Sequence, residues 1–169
     1  IHLFATTAIP QGSAIGDHAA ATTLCTNSYT GKFQNAPYSL TCPHIVPLLA
    51  YAADNGVQSV PAHYGVPTDR PFVGPTGTPI ASDWSSLLGL ANVGTNLLNA
   101  GVLTHASANT ESTWTGFDST GALTANCNDW SANSTGSMIA TYRGWTNDWT
   151  SGTDICNNYY IQVMCMCWY

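Results

Sequence analysis

The residues with the clearest capacity for binding chemistry form one short segment near the end of the chain, Trp145-Thr146-Asn147-Asp148-Trp149. Two indole rings could offer a platform for the apolar face of a sugar, and calcium prefers roughly six to eight oxygen ligands. Asp129 and Asp154 could add oxygens, although no spacing fixes their convergence. Asn-Asp between two packed tryptophans is also typical of an ordinary turn, the interpretation we favour. Our candidate ligand-binding residues are Trp145, Asn147, Asp148 and Trp149, and we expect no cofactor unless calcium binds there.

Catalysis finds little support in the residue pattern. The histidines are scattered singly, and the sequence has no nucleophile elbow, no His-x-x-x-His pair and no glycine-rich phosphate loop. Asp118 and Asp129 could pair in space as acid and base, but aspartates beside Gly and Ser more often form turns. We therefore expect a protein that is not an enzyme, with no catalytic and no metal-binding residues.

The cysteines indicate the compartment. There are six, which are Cys25, Cys42, Cys127, Cys156, Cys165 and Cys167. An even number in a chain poor in lysine and rich in Thr and Asn favours disulfides and an oxidising environment. The alternative, a zinc site, needs close pairs of ligands, and the i, i+2 spacing of Cys165 and Cys167 suits chelation poorly. We expect a secreted or cell-surface protein, in which Asn133-Ser134-Thr135 is a glycosylation sequon.

Charge is unusually scarce in this chain. Asp, Glu, Lys and Arg make up 7% of the residues, against about 25% in a typical domain. The formal net charge is -6 with three basic residues, too few for the basic surface that nucleic acid requires, so we exclude nucleic acid as a partner. No apolar run approaches the roughly 18 residues of a membrane helix, so no membrane span is expected. The length fits a single domain, 1–169.

The elements predicted for the first half are few. A strand is expected at 1–8, and a helix capped by Asp17 should run to about Asn27. A second helix is expected from Pro43 or Pro47 to Asn55, because proline suits a first helical turn. The proline-rich stretch 57–79 is predicted to be loop, and 83–88 a short capped helix.

In the second half, a strand is expected at 112–116 and another at 159–169. The terminal strand has two apolar faces, so it should be central in its sheet and covered on both sides. One face holds Ile161, Val163, Cys165 and Cys167, and the other holds Tyr160, Gln162, Met164, Met166 and Trp168.

The order of motifs in the second half is specific. Trp114-Thr115-Gly116 comes first, then Cys127-Asn128-Asp129-Trp130, then Cys156 and the closing strand with Cys165. A strand ending in Trp-x-Gly, a Cys-x-x-Trp corner and a Cys-strand-Cys hairpin resemble the C-type lectin-like domain. Within it, the chain looks closest to the endostatin-like branch, the endostatin domains of collagens and related bacterial surface lipoproteins. Segments 13–19 and 79–87 are similar to that branch, whereas 32–70 matches poorly.

The resemblance implies an α+β fold, with a twisted, mostly antiparallel sheet, two or three helices, long loops and disulfide staples. It also implies the disulfides Cys25–Cys165 and Cys127–Cys156, and Cys42–Cys167 then remain as the third pair. Because Cys165 and Cys167 share one face of a strand, Cys25–Cys167 stays open as an alternative.

The function we expect is narrower than the range of functions known for the family that the chain resembles. The Glu/Gln-Pro-Asn/Asp motif of calcium-dependent lectins is absent, residues 145–149 only echo their Trp-Asn-Asp motif, and the heparin-binding arginines of endostatin have no counterpart. We expect a non-catalytic extracellular binding or adhesion domain that recognises a glycan or protein partner without the standard calcium motif. The alternative is a structural subunit of a self-assembling extracellular filament or surface layer, since low charge hardly opposes self-association between copies of the chain.

Overall fold

The computed structural model describes most of the chain, with gaps concentrated in the second half. The described residues are 1–8, 10–88, 95, 97–103, 112–118, 120–131, 138–143, 152–158 and 161–169. The predicted ligand-binding residues Trp145, Asn147, Asp148 and Trp149 lie outside the described residues, as does the sequon at Asn133.

A mixed sheet of eight strands forms the frame of the described structure. The strands are β1 (His2–Ala5), β2 (His44–Pro47), β3 (Phe72–Val73), β4 (Pro79–Ala81), β5 (Ser112–Trp114), β6 (Met138–Arg143), β7 (Gly152–Ile155) and β8 (Gln162–Trp168). Their order is β4-β3-β1-β8-β5-β6-β7, and β2 also pairs with β8. The pairs β1–β3 and β5–β8 are parallel, whereas the other pairs are antiparallel.

The terminal strand β8 is central, as the sequence predicts. β1 pairs with one edge, and the other edge is shared by β5, opposite Gln162 and Val163, and β2, opposite 165–168. Every residue of β8 is buried. Its two faces enter separate hydrophobic clusters, with Met164, Met166 and Trp168 in one and Val163, Cys165 and Cys167 in the other.

Helices are few and short. In the described part of the chain they are α1 (His18–Ser28), which continues as a π-helical turn (Tyr29–Phe33), α2 (Val60–Tyr64), α3 (Trp84–Leu88) and α4 (Cys127–Trp130), a single turn whose residues all have positive φ. Two 3-10 turns occur at Gly12–Ala14 and Ala52–Asp54. The predicted caps are confirmed, because Asp17 accepts from the Ala20 amide at 2.9 Å and Asp83 from the Ser86 amide at 2.7 Å.

The predicted helix from Pro43 or Pro47 to Asn55 is wrong. The segment is extended up to Tyr51 and forms only a 3-10 turn at Ala52–Asp54: His44–Pro47 pairs with β8, and the backbone amides of Leu48 and Ala50 donate to the carbonyls of Met164 and Thr115. Its side chains alternate between the two hydrophobic clusters, with Leu48 in one and Leu49 in the other. Pairing with a buried central strand therefore outweighs the helix propensity of Leu and Ala.

The prediction that 57–79 is entirely loop is also wrong. Pro61 lies in the first turn of α2 and does not prevent the helix, because a first-turn proline loses no intrahelical hydrogen bond. β3 pairs with β1 in parallel, and the Val73 amide donates to the Ile1 carbonyl at 2.9 Å. Both α2 and β3 are short, and β3 requires β1 as its partner, more than sixty residues away, which the local sequence cannot reveal.

Three disulfides join distant segments of the chain, and none of the six cysteines is free. They are Cys25–Cys165 and Cys127–Cys156, the two bonds that the resemblance implied, and Cys42–Cys167, the pair that then remained; the alternative Cys25–Cys167 is not the pair observed. The first ties α1 to β8, and the second ties the segment before β2 to the same strand. Among the described residues, no helix has the length and apolar character needed to cross a bilayer.

Candidate functional site

The structure draws attention to a cavity that the sequence motifs did not predict. It has a volume of about 320 Å³ and lies where the start of α1, the 3-10 turn at Ala52–Asp54 and the end of α2 meet. The described residues that line it are Asp17, His18, Tyr51, Ala53, Asp54, His63, Tyr64 and Asp129. Aromatic and imidazole rings therefore share one cavity with three carboxylates.

Three near-parallel rings form one wall. The His18 imidazole stacks on Tyr64 with ring centroids 4.1 Å apart, and the His63 imidazole stacks on the same ring at 4.4 Å. Two imidazoles this close and this nearly parallel cannot share one face of a six-membered ring, so Tyr64 lies between them. Tyr51 contacts His18 in a tilted arrangement at 5.4 Å. The stack joins side chains of α1 and α2 into one rigid surface.

Asp54 anchors this wall from beneath. The residue is 6% exposed, and its Oδ1 lies 2.9 Å from Nδ1 of His63 while the Tyr64 hydroxyl makes a long 3.5 Å contact with Oδ2. The Ser59 hydroxyl donates to the Asp54 carbonyl, which fixes the backbone at the same point. A buried carboxylate needs such partners, and these orient both rings.

The opposite side of the cavity comes from the first turn of α1. Asp17 uses Oδ1 to cap the helix, and Gly16 precedes it with φ of +76°, a conformation that suits glycine. The Tyr51 hydroxyl donates to the Gly16 carbonyl at 3.4 Å, which joins this turn to the 3-10 segment. The Thr22 hydroxyl donates to the His18 carbonyl and lies 3.4 Å from Nδ1.

Asp129 reaches the cavity from a left-handed turn. Residues 127–130 all have φ between +52° and +61°, a region that costs an ordinary residue about 1–2 kcal/mol and that Asn and Asp tolerate best. Surrounding contacts enforce the turn: Cys127 is bonded to Cys156, and the Trp130 indole N–H donates to the Ala50 carbonyl at 3.0 Å. Strain of this kind is characteristic of functional sites.

Hydrogen bonds to the 3-10 segment fix the Asp129 carboxylate itself. Its Oδ1 accepts from the Ala52 amide at 2.8 Å and from the Asn126 side-chain amide at 2.5 Å. Asn126 also donates to the Ala50 carbonyl at 3.2 Å. The Cys-x-x-Trp corner and the segment after β2 therefore position one acidic side chain together.

The carboxylates and burial shift the ionisation of the rings. Burial raises the pKa of Tyr51 above its usual range, and Asp17 is the nearby charge that adds most to this shift. Burial, the charge of Asp54 and the contact with Asp54 raise the pKa of Tyr64 to about 12. Burial lowers the pKa of His18, although Asp54 opposes that shift. At neutral pH, both phenols and the His18 imidazole are therefore uncharged.

No family model matches the sequence, and no curated protein is significantly similar to it. The site must accordingly be interpreted from its own geometry. Across the part of the chain that the structure describes, no three His, Cys, Asp or Glu side chains form a group that could hold a metal ion.

Asp118 and Asp129, considered from the sequence as an acid–base pair, lie in different places in the structure. Asp118 does not line the cavity; its Oδ1 accepts from the amide and hydroxyl of Thr120, the turn that its neighbours indicated. Asp129 does line the cavity, where its carboxylate accepts from Ala52 and Asn126 and does not pair with Asp118.

Sequence reasoning missed most of the cavity because its residues belong to unrelated segments. His18 and His63 looked isolated, since histidines 45 positions apart share no motif. One signal was present: Ala62-His63-Tyr64-Gly65 after a proline has the form of a short helix ending in a glycine cap. That pattern, together with Asp54 shortly before it, would have favoured α2 over loop.

Proposed function

We propose that this chain is a non-catalytic extracellular binding domain of C-type lectin-like, endostatin-like architecture. It recognises a glycan or protein partner without the standard calcium motif, and the partner occupies the cavity lined by Tyr51, Tyr64 and the carboxylates. The observation that carries the proposal is this cavity, where rigid aromatic walls meet a few fixed polar groups, the usual composition of a ligand site.

The arrangement supports binding more than catalysis. The described lining residues include no Ser, Thr or Cys that His63 could activate. Nearby Ser59 directs its hydroxyl to the Asp54 carbonyl. Polar groups that hold one another in place suit a rigid recognition surface.

Several features support the proposed architecture. Trp114 and Trp130 are fully buried and meet edge to face with centroids 6.0 Å apart, beside the bond between Cys127 and Cys156. The terminal strand is central and is bonded to α1 through Cys165. A secreted location agrees with three disulfides.

A structural subunit is the second candidate, and the described surface gives it less support. Among the described residues, the exposed large hydrophobic side chains are Ile155 and Tyr169. Obligate assemblies normally bury extensive apolar surface, and two separated residues offer little of it.

The proposal is tested by screening immobilised glycans and extracellular proteins with and without a calcium chelator. We expect binding that is insensitive to the chelator, is lost in Tyr64→Leu and persists in Tyr169→Leu, the same change at an exposed tyrosine. An unfolding curve for each variant confirms that it is folded. Absence of binding at high protein concentration would contradict the proposal, as would calcium-dependent binding abolished by Asp148→Ala alone.

A further inference from the structure

The free hydrogen-bonding atoms of the cavity are mostly acceptors. The Tyr51 hydroxyl donates to Gly16, and the Tyr64 hydroxyl and Nδ1 of His63 face Asp54. Asp17 and Asp129, by contrast, use only Oδ1, and within the described structure their Oδ2 atoms have no hydrogen-bond partner. A ligand that complements this cavity must therefore donate hydrogen bonds.

The cavity also carries negative charge: Asp54 pairs with His63, whereas Asp17 and Asp129 face no lysine or arginine in the described lining. Asp17, Asp54 and Asp129 line it, and the described lining residues include no Lys or Arg. The basic side chains described elsewhere are engaged: Lys32 lies over the rings of Phe33 and Tyr38, and Arg70 lies beside Asp69. Because burial keeps His18 neutral, the carboxylates favour a cation over a neutral ligand.

The walls suit an apolar stem. The imidazoles of His18 and His63, which cover the two faces of Tyr64, present ring surface together with Tyr51, and a basic side chain has an alkyl stem beneath its charged head. Lysine carries three donors on a four-carbon chain, and arginine carries a planar guanidinium that stacks on rings. A sugar hydroxyl could also donate to these carboxylates, but it carries no charge and brings acceptor lone pairs, for which this cavity offers few free donors.

From these observations we propose that the cavity binds a basic side chain, lysine or arginine, of a protein partner. The ammonium or guanidinium group contacts the free Oδ2 atoms of Asp17 and Asp129, and the stem lies against the aromatic wall. This inference rests on the proposed binding function and narrows its ligand from a glycan or protein to a basic segment of a protein.

The test uses three capped tripeptides, Gly-Lys-Gly, Gly-Arg-Gly and Gly-norleucine-Gly, with D-glucosamine as a glycan-type cation. Calorimetric titration at low salt should show millimolar binding of at least one basic peptide, at least tenfold tighter than the norleucine peptide and than glucosamine. Because surface charge interactions are screened by salt, raising the ionic strength to about 0.2 M should weaken that binding severalfold.

Conservative variants locate the contact. The double variant Asp17→Asn/Asp129→Asn should weaken binding of the basic peptide at least tenfold, yet remain folded, because Asn caps helices as well as Asp and still offers Oδ1 as an acceptor. Asp69→Asn, the same change of charge on an exposed residue outside the cavity, should leave binding unchanged.

Three results would overturn the inference. They are equal binding of the norleucine peptide, tighter binding of glucosamine, and unchanged affinity in the double variant. If the peptides fail while a partner from the screen still requires Tyr64, the basic-ligand inference is wrong and the binding function stands. If neither peptide nor partner binds, both are wrong.

Discussion

At the scale of single residues, the most informative feature is the left-handed turn at 127–130. Four consecutive non-glycine residues with positive φ are unusual, and each alone is unfavourable. Here Asn128 and Asp129 occupy the two central positions, while Cys127 and Trp130 are held by a disulfide and by a hydrogen bond to Ala50. The turn thereby directs an acidic side chain to the cavity.

This turn makes a prediction for Asn128, which is exposed and lies at φ of +52°. Asn128→Ala should lower the free energy of unfolding by about 1 kcal/mol, because alanine tolerates this region poorly, whereas Asn128→Gly should be close to neutral. Denaturant unfolding of both variants measures the difference. In an ordinary helical turn alanine is the better residue, so a more stable Ala variant would contradict the left-handed assignment.

The sequence could predict the cap residues but not this turn. Asp17 and Asp83 precede recognisable helical segments, and their role depends on neighbours within three residues. The conformation of Asn128 depends on Cys156 and Ala50, which lie far away in the chain. Asn-Asp within the motif was compatible with a left-handed turn and with many other turns.

At the scale of elements, β8 and its two disulfides form the central junction. Cys25–Cys165 spans 140 residues and Cys42–Cys167 spans 125. Their ends are close in sequence on both sides, because Cys25 precedes Cys42 by 17 positions and Cys165 precedes Cys167 by two. Each bond therefore keeps the long loop closed if the other is removed.

The two bonds should consequently be redundant. With one intact, losing the other opens a loop of roughly 20 residues and costs about 3 kcal/mol, whereas losing both releases the long loop and costs about 8 kcal/mol. Urea unfolding of C25A/C165A, C42A/C167A and the quadruple variant measures this excess of roughly 2 kcal/mol over the sum.

A matched control uses the third bond, Cys127–Cys156, which closes its own separate loop of 29 residues. In a variant that combines C127A/C156A with C25A/C165A, the two losses in the free energy of unfolding should add. With Cys42–Cys167 intact, neither bond changes the length of the loop that the other closes. The redundancy would be contradicted by a folded quadruple variant, lacking both β8 bonds, whose loss of unfolding free energy equals the sum of the losses in C25A/C165A and C42A/C167A.

Element prediction succeeded where a segment determines its own burial. The apolar character of both faces of 159–169 was enough to predict a central strand covered on both sides, and β8 confirms it over Gln162–Trp168. It failed for 43–55, where Leu and Ala suggested a helix but the free edge of β8 selected an extended chain. Register with a distant partner is not encoded locally.

At the scale of the whole molecule, half-buried histidines make stability depend on pH. Burial lowers the pKa values of His18 and His2, so the unfolded chain binds more protons than the folded chain just below the usual histidine pKa of about 6.5. The stability that these residues contribute is therefore complete above that pH and is lost as the pH falls below it.

We accordingly expect the urea midpoint to fall between pH 7 and pH 5. His18→Gln should reduce this dependence, because it removes one of the groups that bind a proton on unfolding. Urea unfolding at both pH values measures the effect. A midpoint that rises on acidification, or a slope that His18→Gln leaves unchanged, would show that the imidazole is not held neutral by its surroundings.

The sparse apolar surface leads to an expectation about assembly. With Ile155 and Tyr169 as the exposed large hydrophobic residues in the described part of the chain, the protein should sediment as a monomer at micromolar concentration. A concentration-dependent increase in sedimentation coefficient, or filaments in electron micrographs, would favour the structural-subunit alternative.

The central claim is that a partner binds at the cavity between α1, the 3-10 turn at Ala52–Asp54 and α2. The most direct measurement is an amide NMR spectrum of the ¹⁵N-labelled protein, recorded with and without the capped Gly-Lys-Gly peptide and the tightest partner from the screen. We predict shifts that cluster at Asp17, His18, Ala53, His63 and Asp129. Shifts confined to 145–149, or none with either ligand, would contradict it.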